Sequence, residues 1–161
     1  MLSVPGELTV AVAACCFLFC FSFSVIFFPN KKQTLTGHDH NISCVTFTPS
    51  GDHLLSCSRD TNIKVWEVSS GFCVKTISGH TQWVRHIEIS PRGNVYASCS
   101  DEQVVKLWNS TSGENTMTLY GHEHVVHEVK FSNTTAADEV GYHALRCAAC
   151  MHQPPLILAL A

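Results

Sequence analysis

The sequence has little charge and no excess of basic residues. Charged residues occupy 14% of its 161 positions, and 10 lysines and arginines are outnumbered by 13 aspartates and glutamates, for a formal net charge of -3. A surface that binds nucleic acid needs a basic patch that neutralises phosphates, so this composition argues against a nucleic-acid partner. The length allows about one ordinary domain with a core of moderate size.

Catalytic and metal-binding motifs are also missing. The chain has no nucleophile elbow, no phosphate-binding glycine loop and no paired carboxylates, so we predict neither an enzyme nor a cofactor. A zincin motif that starts at His122 would need its second histidine at Val126, but the histidine comes one position later, at His127. Cys147 and Cys150 form a single C-x-x-C without the second half that a structural zinc site requires. We therefore predict no metal site.

The nine cysteines are an odd number and do not form the pattern of a disulfide framework. Cys44, Cys57, Cys73 and Cys99 lie within apolar runs, where a small buried side chain fits. This usage favours a reducing compartment, and we expect a cytoplasmic location for the repeats.

One long uncharged run lies near the amino terminus. Residues 8–30 carry no charge over 23 positions, which is enough for a helix to cross the ~30 Å hydrocarbon core of a bilayer. Lys31 and Lys32 follow, and the positive-inside rule would place the rest of the chain in the cytoplasm. We predict a hydrophobic helix within residues 1–32. Two interpretations stay open: a membrane anchor through residues 8–30, or an alternative start of the chain without anchoring function.

The remaining sequence repeats itself every 42 residues. Gly37, Gly79 and Gly121 each precede a histidine at this spacing, and Trp66 and Trp108 are separated by the same interval. Runs rich in β-branched and aromatic residues alternate with polar turn segments, which predicts four short strands in each repeat. The period and the composition resemble those of WD40 repeats, each of which forms one four-stranded blade of a β-propeller.

The repeats predict the fold class and the domain boundaries. We predict an all-β, incomplete WD40 propeller over residues 33–133, with complete blades at 35–77 and 78–119 and the first strand of a third blade at 120–133. Residues 134–161 lack the repeat signature and are predicted to form a divergent, poorly ordered tail. Because propellers usually have four to eight blades, the outer blades would expose open edges and apolar faces. Self-association through these edges is one predicted outcome.

The resemblance to WD40 repeats implies a hydrogen-bonded set of four side chains in each blade. Buried polar groups need partners, so such a tetrad would act as a structural clamp. In the second repeat the position expected to be Asp is Glu102, which is longer by one methylene. The predicted tetrads are His38, Ser58, Asp60 and Trp66 in the first repeat, and His80, Ser100, Glu102 and Trp108 in the second.

A narrower resemblance depends on four strings, GDHLLSCSRD, IKVWEV, GFCVKT and GHTQWVR, which lie between residues 51 and 85. Together they resemble the lissencephaly protein family, nuclear-distribution proteins that regulate cytoplasmic dynein and form the non-catalytic subunit of platelet-activating-factor acetylhydrolase. The resemblance covers residues 33–133. It implies a non-enzymatic interaction scaffold in nuclear migration and microtubule-based transport, located at the cytoskeleton or centrosome. The alternatives are a membrane-anchored WD-repeat adaptor and a truncated regulatory subunit of an acetylhydrolase.

Partner binding is predicted on the loops at one end of the blades. Loops held by a rigid scaffold carry function, and Trp and Arg are frequent binding hot spots. The resemblance implies that the loop ending in Trp83 and Arg85 meets dynein and the acetylhydrolase catalytic subunits, so Arg85 is the first candidate. Packing of Trp83 against the neighbouring blade is the alternative. The predicted partner-binding residues are Arg85, Trp83, Arg59, Asn41, Asp101 and His127.

Overall fold

The computed structural model describes residues 7–10, 33–131, 144–149 and 156–159. All regular structure in these residues is β-strand. The strands are β1 (Glu7–Val10), β2 (Gln33–Thr36), β3 (Ile42–Phe47), β4 (His53–Ser58), β5 (Ile63–Glu67), β6 (Cys73–Ile77), β7 (Val84–Ile89), β8 (Val95–Ser100), β9 (Val105–Asn109), β10 (Asn115–Leu119), β11 (Val126–Phe131), β12 (Ala144–Ala149) and β13 (Leu156–Ala159).

Two four-stranded antiparallel sheets form the centre of the structure. Strands β3 to β6 make the first sheet and β7 to β10 the second, and each strand pairs with the next along the chain. Every strand of the second sheet begins 42 residues after its counterpart, as in β3 at Ile42 and β7 at Val84. The predicted all-β class and the two complete blades are confirmed. We call these sheets the first and the second blade.

The two blades bury their adjoining surfaces against each other. Leu55 and Ile63 of the first blade lie in one apolar cluster with Val84 and Ile87 of the second, and all four side chains are fully buried. Burial of a side chain of this size contributes about 1.5–3 kcal/mol, so each blade depends on its neighbour for much of its stability. At the periphery, the Lys75 Nζ of the first blade donates hydrogen bonds to two carbonyl oxygens of the second blade's turn at residues 110 and 111.

The third sheet consists of β11, β12 and β13, paired antiparallel in that order. Val126 and Val129 of β11 pack against the second blade through Val105 and Leu107. Residues 144–149 and 156–159 of the predicted tail form strands, and poor order of the tail stays a prediction. The edge of β11 offers unpaired backbone groups, and a strand without the repeat signature can still satisfy them. The other residues of the predicted tail lie outside the described part.

The amino-terminal segment forms a strand where its first residues are described. The predicted hydrophobic run starts at Leu8, but Glu7–Val10 form β1, which pairs antiparallel with β2. Thr9 and Val10 are β-branched and fit a strand, and pairing with β2 satisfies the backbone of both segments. Residues 11–32, which make up most of the predicted helix, lie outside the described part. Among the described residues, none belongs to a helix with the length and apolar character that a bilayer crossing needs.

Candidate protein-binding surface

Four side chains form a continuous hydrogen-bonded chain in the first blade. The Trp66 indole N–H donates to Ser56 Oγ over 2.8 Å, and Ser56 Oγ lies 2.7 Å from His38 Nε2. His38 Nδ1 lies 2.7 Å from Asp60 Oδ2. Because the indole can only donate, the Ser56 hydroxyl donates onward to His38, and His38 donates through Nδ1 to the carboxylate. The network therefore holds a neutral imidazole of one defined tautomer.

The serine in this tetrad is Ser56 and not the predicted Ser58. Both side chains point to the same side of β4, so alternation along the strand cannot distinguish them. The strand register distinguishes the two serines. Leu54 is the cross-strand partner of Trp66, and Ser56 is the diagonal neighbour that the indole reaches. Ser58 lies about 13 Å along the strand from Leu54. There its hydroxyl donates to the Asn41 carbonyl over 3.0 Å and shapes the turn that follows β4.

The second blade repeats the arrangement with Ser98 in place of the predicted Ser100. The Trp108 indole donates to Ser98 Oγ over 2.7 Å, and Ser98 Oγ lies 2.6 Å from His80 Nε2. His80 Nδ1 contacts the Glu102 carboxylate. Glu102 thus occupies the position of Asp60 despite its longer side chain.

Burial and hydrogen bonding shift the pKa values of both tetrads. Burial lowers the pKa of His38 and of His80 below the ordinary value, which keeps both rings neutral. Burial alone would raise the pKa of each carboxyl group, but hydrogen bonds outweigh it. Those from the Asn62 backbone and from His38 lower the pKa of Asp60. Those to Glu102, from Thr81 and from His80, lower its pKa to about 2.

The tetrads fix one end of each blade. His38 and His80 come from the loop that precedes their blade, whereas the carboxylates come from the turn after the blade's second strand. Each tetrad therefore ties two loops together at the same end of the sheet. The side chains that these loops carry are held on a rigid scaffold.

A surface around Trp83 lies at this end and joins the two blades. Trp83 is 38% exposed, and the guanidinium carbon of Arg59, from the first blade, lies 4.5 Å from its ring centroid. The Arg85 guanidinium carbon lies 5.6 Å from the same ring. The His40 ring is tilted against Trp83 with centroids 6.3 Å apart. Arg85 is held by Asp101, which accepts hydrogen bonds from Nε and from Nη2. We call these five residues the Trp83 surface.

The structure groups four of the six predicted partner-binding residues in this surface, namely Trp83, Arg59, Arg85 and Asp101. Within residues 33–131, the ring and ion-pair contacts do not extend to Asn41, whose backbone carbonyl supports the turn, or to His127, which is exposed on β11. Sequence reasoning missed His40. The one feature of the sequence that could have indicated His40 is its position two residues after His38, in the loop that was predicted to lie at the binding end.

Metal binding finds no support in the described ranges. No group of three His, Cys, Asp or Glu side chains among these residues could hold a metal ion. His38 and His80 are engaged in the tetrads through both ring nitrogens.

Two blades that share a 42-residue period and a Trp–Ser–His–carboxylate chain define WD40 repeats. The family model described as WD domain, G-beta repeat matches residues 29–67 and 71–109. The chain therefore contains two WD40 repeats, and each match spans one strand that precedes a blade together with the first three strands of that blade.

Nuclear distribution proteins are among the relatives that the chain matches. The chain is 57% identical over 44 residues to nuclear distribution protein nudF of Emericella nidulans, a match that covers 27% of this chain and 10% of the relative. It is 50% identical over 48 residues to nuclear distribution protein PAC1 of Candida tropicalis, covering 29% and 10%. The chain thus matches about a tenth of the length of these relatives. The resemblance to nuclear distribution proteins is confirmed over that segment.

Proposed function

We propose that the chain is a non-enzymatic interaction module that binds a protein partner of the cytoplasmic dynein pathway through the Trp83 surface. The observation that carries this proposal is the exposed Trp83 ring with an arginine from each blade against it, at 4.5 and 5.6 Å from the ring centroid. Trp and Arg dominate binding hot spots because they bury large areas and make directional polar contacts.

The surface is ordered before any partner arrives. A cation within about 6 Å of an indole centroid interacts with the ring by a favourable free energy of about 0.5–1 kcal/mol at an exposed site. This attraction holds the guanidinium groups of Arg59 and Arg85 near Trp83. Asp101 holds Arg85 through two parallel hydrogen bonds and, by this pairing, raises the pKa of the guanidinium. Side chains that are already positioned lose less conformational entropy on binding, which favours affinity.

The charge of the surface favours an acidic partner. Two arginines and one aspartate leave one excess positive charge beside an exposed aromatic ring. A partner with carboxylates and an apolar side chain would complement both features. Similarity to nuclear distribution proteins supports the dynein motor as this partner, with a cytoplasmic location at the cytoskeleton. Acetylhydrolase catalytic subunits, self-association and membrane anchoring stay predictions from the sequence.

Binding of the full chain to the purified motor domain of cytoplasmic dynein tests the proposal. We expect Arg85→Ala and Trp83→Ala each to weaken binding by about 30-fold, which corresponds to the ~2 kcal/mol typical of a hot spot. Binding to the acetylhydrolase catalytic subunits, measured in parallel, would identify the other predicted partner.

Two substitutions at the opposite end of the blades serve as matched controls. Arg92 is exposed in the turn after β7, and Phe72 is 74% exposed in the turn after β5. We expect Arg92→Ala and Phe72→Ala to leave the affinity within about twofold, as is usual for surface residues outside a hot spot. Equal losses from Arg92→Ala and Arg85→Ala would show that only general charge matters and would contradict the proposed surface.

A further inference from the structure

Two cysteines of the first blade lie directly opposite each other. Cys44 on β3 and Cys57 on β4 are cross-strand partners in the antiparallel register, and both are free thiols. Opposite residues in such a pair have Cα atoms about 4.5–5.5 Å apart. A disulfide needs a Cα separation of about 4.4–6.8 Å, so the backbone already places these two residues within bridging range.

The second blade lacks such a pair. Its counterpart of Cys57 is Cys99, whose cross-strand partner is His86. His86 lies one repeat after Cys44, so the same position holds a thiol in the first blade and an imidazole in the second. Two thiols therefore lie across from each other in the first blade only, as far as residues 33–131 are concerned.

The two thiols differ in exposure. Cys44 is partly exposed, and its Sγ lies 3.9 Å from the carbonyl oxygen of Ile87 in the second blade. Cys57 is fully buried in the core between the blades. A reagent from solution can reach Cys44 first, and Cys57 can react only with a group that Cys44 presents to it.

We propose that Cys44 and Cys57 are a site of reversible oxidation that hydrogen peroxide converts into an intrachain disulfide. In the first step the Cys44 thiolate attacks a peroxide oxygen, the O–O bond breaks, and Cys44 becomes a sulfenic acid while the released hydroxide takes up a proton as water. In the second step Cys57 sulfur attacks the Cys44 sulfur, the S–S bond forms, and the sulfenic hydroxyl leaves with the Cys57 proton as a second water. Two thiols are oxidised and one peroxide is reduced.

The surroundings assign the roles of the two thiols. A hydrogen bond from Cys57, together with one from His86, outweighs burial and lowers the pKa of Cys44, which favours its thiolate. Burial raises the pKa of Cys57. Cys44 is therefore the attacking thiol and Cys57 the resolving thiol. The disulfide would fasten β3 to β4 and withdraw the Cys44 thiol from its contact with the second blade.

Mass spectrometry of the full chain after exposure to hydrogen peroxide tests this proposal. Trypsin cleaves after Lys32 and Arg59 and at no site between them, so residues 33–59 form one peptide that contains both cysteines. The internal disulfide makes this peptide about 2 Da lighter than its reduced form and protects both cysteines from alkylation. A second cleavage before the aspartates, at Asp39 and Asp52, places Cys44 in residues 39–51 and Cys57 in residues 52–59. These two pieces stay joined until dithiothreitol separates them.

Cys73 is the internal control because it is exposed and lies outside the pair. We expect the disulfide of Cys44 and Cys57 to form while Cys73 stays open to alkylation, and Cys44→Ser to leave Cys57 reduced over the same time. In Cys57→Ser, a sulfenic acid at Cys44 should persist and react with dimedone. The proposal is overturned if wild-type Cys73 oxidises before Cys44, or if Cys44 couples to a cysteine other than Cys57.

Discussion

Replacement of Ser56 by alanine tests whether the tetrad clamps the first blade. The hydroxyl of Ser56 is fully buried, accepts the Trp66 indole N–H over 2.8 Å and donates to His38 Nε2 over 2.7 Å. Ser56→Ala removes both bonds without adding bulk. The Trp66 donor and the His38 acceptor then stay buried without a partner.

The expected loss follows from the number of unsatisfied groups. Each buried donor or acceptor left without a partner costs about 1–3 kcal/mol, so two give about 2–6 kcal/mol. Because Trp66 and His38 can relax slightly, we expect the free energy of unfolding to fall by about 3 kcal/mol. This is a large share of the ~5–15 kcal/mol that stabilises a typical domain.

Ser58→Ala is the matched control, since it removes the same hydroxyl two residues further along β4. Ser58 Oγ accepts the Asp60 backbone N–H over 3.1 Å and donates to the Asn41 carbonyl. That carbonyl also accepts the Arg59 backbone N–H over 3.0 Å, so it keeps a partner when the hydroxyl is lost. The hydroxyl also donates to the carbonyl of exposed His40 over 3.1 Å, where water can replace it. The Asp60 N–H is then the one group left unsatisfied, and the expected loss is about 1 kcal/mol.

Equilibrium urea unfolding of the full chain, followed by tryptophan fluorescence, measures both losses. With a urea dependence of about 1–3 kcal/mol per M, a loss of 3 kcal/mol lowers the transition midpoint by about 1–3 M. Ser98→Ala should reproduce the Ser56→Ala result in the second blade. If Ser58→Ala destabilises the chain as much as Ser56→Ala does, the assignment of the tetrad serine is refuted.

Two further substitutions test the second blade. The pKa of Glu102 is lowered to about 2 from an ordinary value of 4.5, so its carboxylate contributes stability above about pH 4.5 that disappears as the pH falls towards 2. Glu102→Gln should lower the free energy of unfolding at neutral pH and flatten its dependence on pH across this window; an unchanged acid slope in urea titrations would contradict the role of the carboxylate. A Cβ on Gly79, where φ is +150°, would lie 3.0 Å from the Trp108 ring, whereas one on Gly121, at φ +128°, would meet nothing within 4 Å. Gly79→Ala should therefore lower the thermal midpoint by more than Gly121→Ala, and equal shifts would show that backbone strain alone decides the cost.

The 42-residue period predicted the two blades correctly because one period corresponds to one four-stranded sheet. All four strands of the second blade start 42 residues after those of the first, and the tryptophans and histidines keep the same interval. The serine of the tetrad could not be identified from the sequence alone. Ser56 and Ser58 share one side of β4, and only the pairing of Leu54 with Trp66 decides which hydroxyl the indole reaches.

Four of the five members of the Trp83 surface could be predicted from the sequence, but their arrangement could not. Arg59 and Trp83 belong to different blades, and their contact depends on how the two sheets pack. No sequence pattern within a single repeat predicts how the two sheets pack against each other. Strands β12 and β13 were missed for a related reason, since their residues carry no repeat signal and pair with an edge that exists only after β11 has formed.

The origin of each tetrad histidine determines where the chain can be divided. His38 precedes β3, so a fragment that starts at Ile42 would contain every strand of the first blade and still lack the imidazole that Ser56 and Trp66 require. The shortest stretch that contains a whole tetrad therefore runs from the Gly-His pair to the tryptophan. It does not coincide with the sheet that it stabilises.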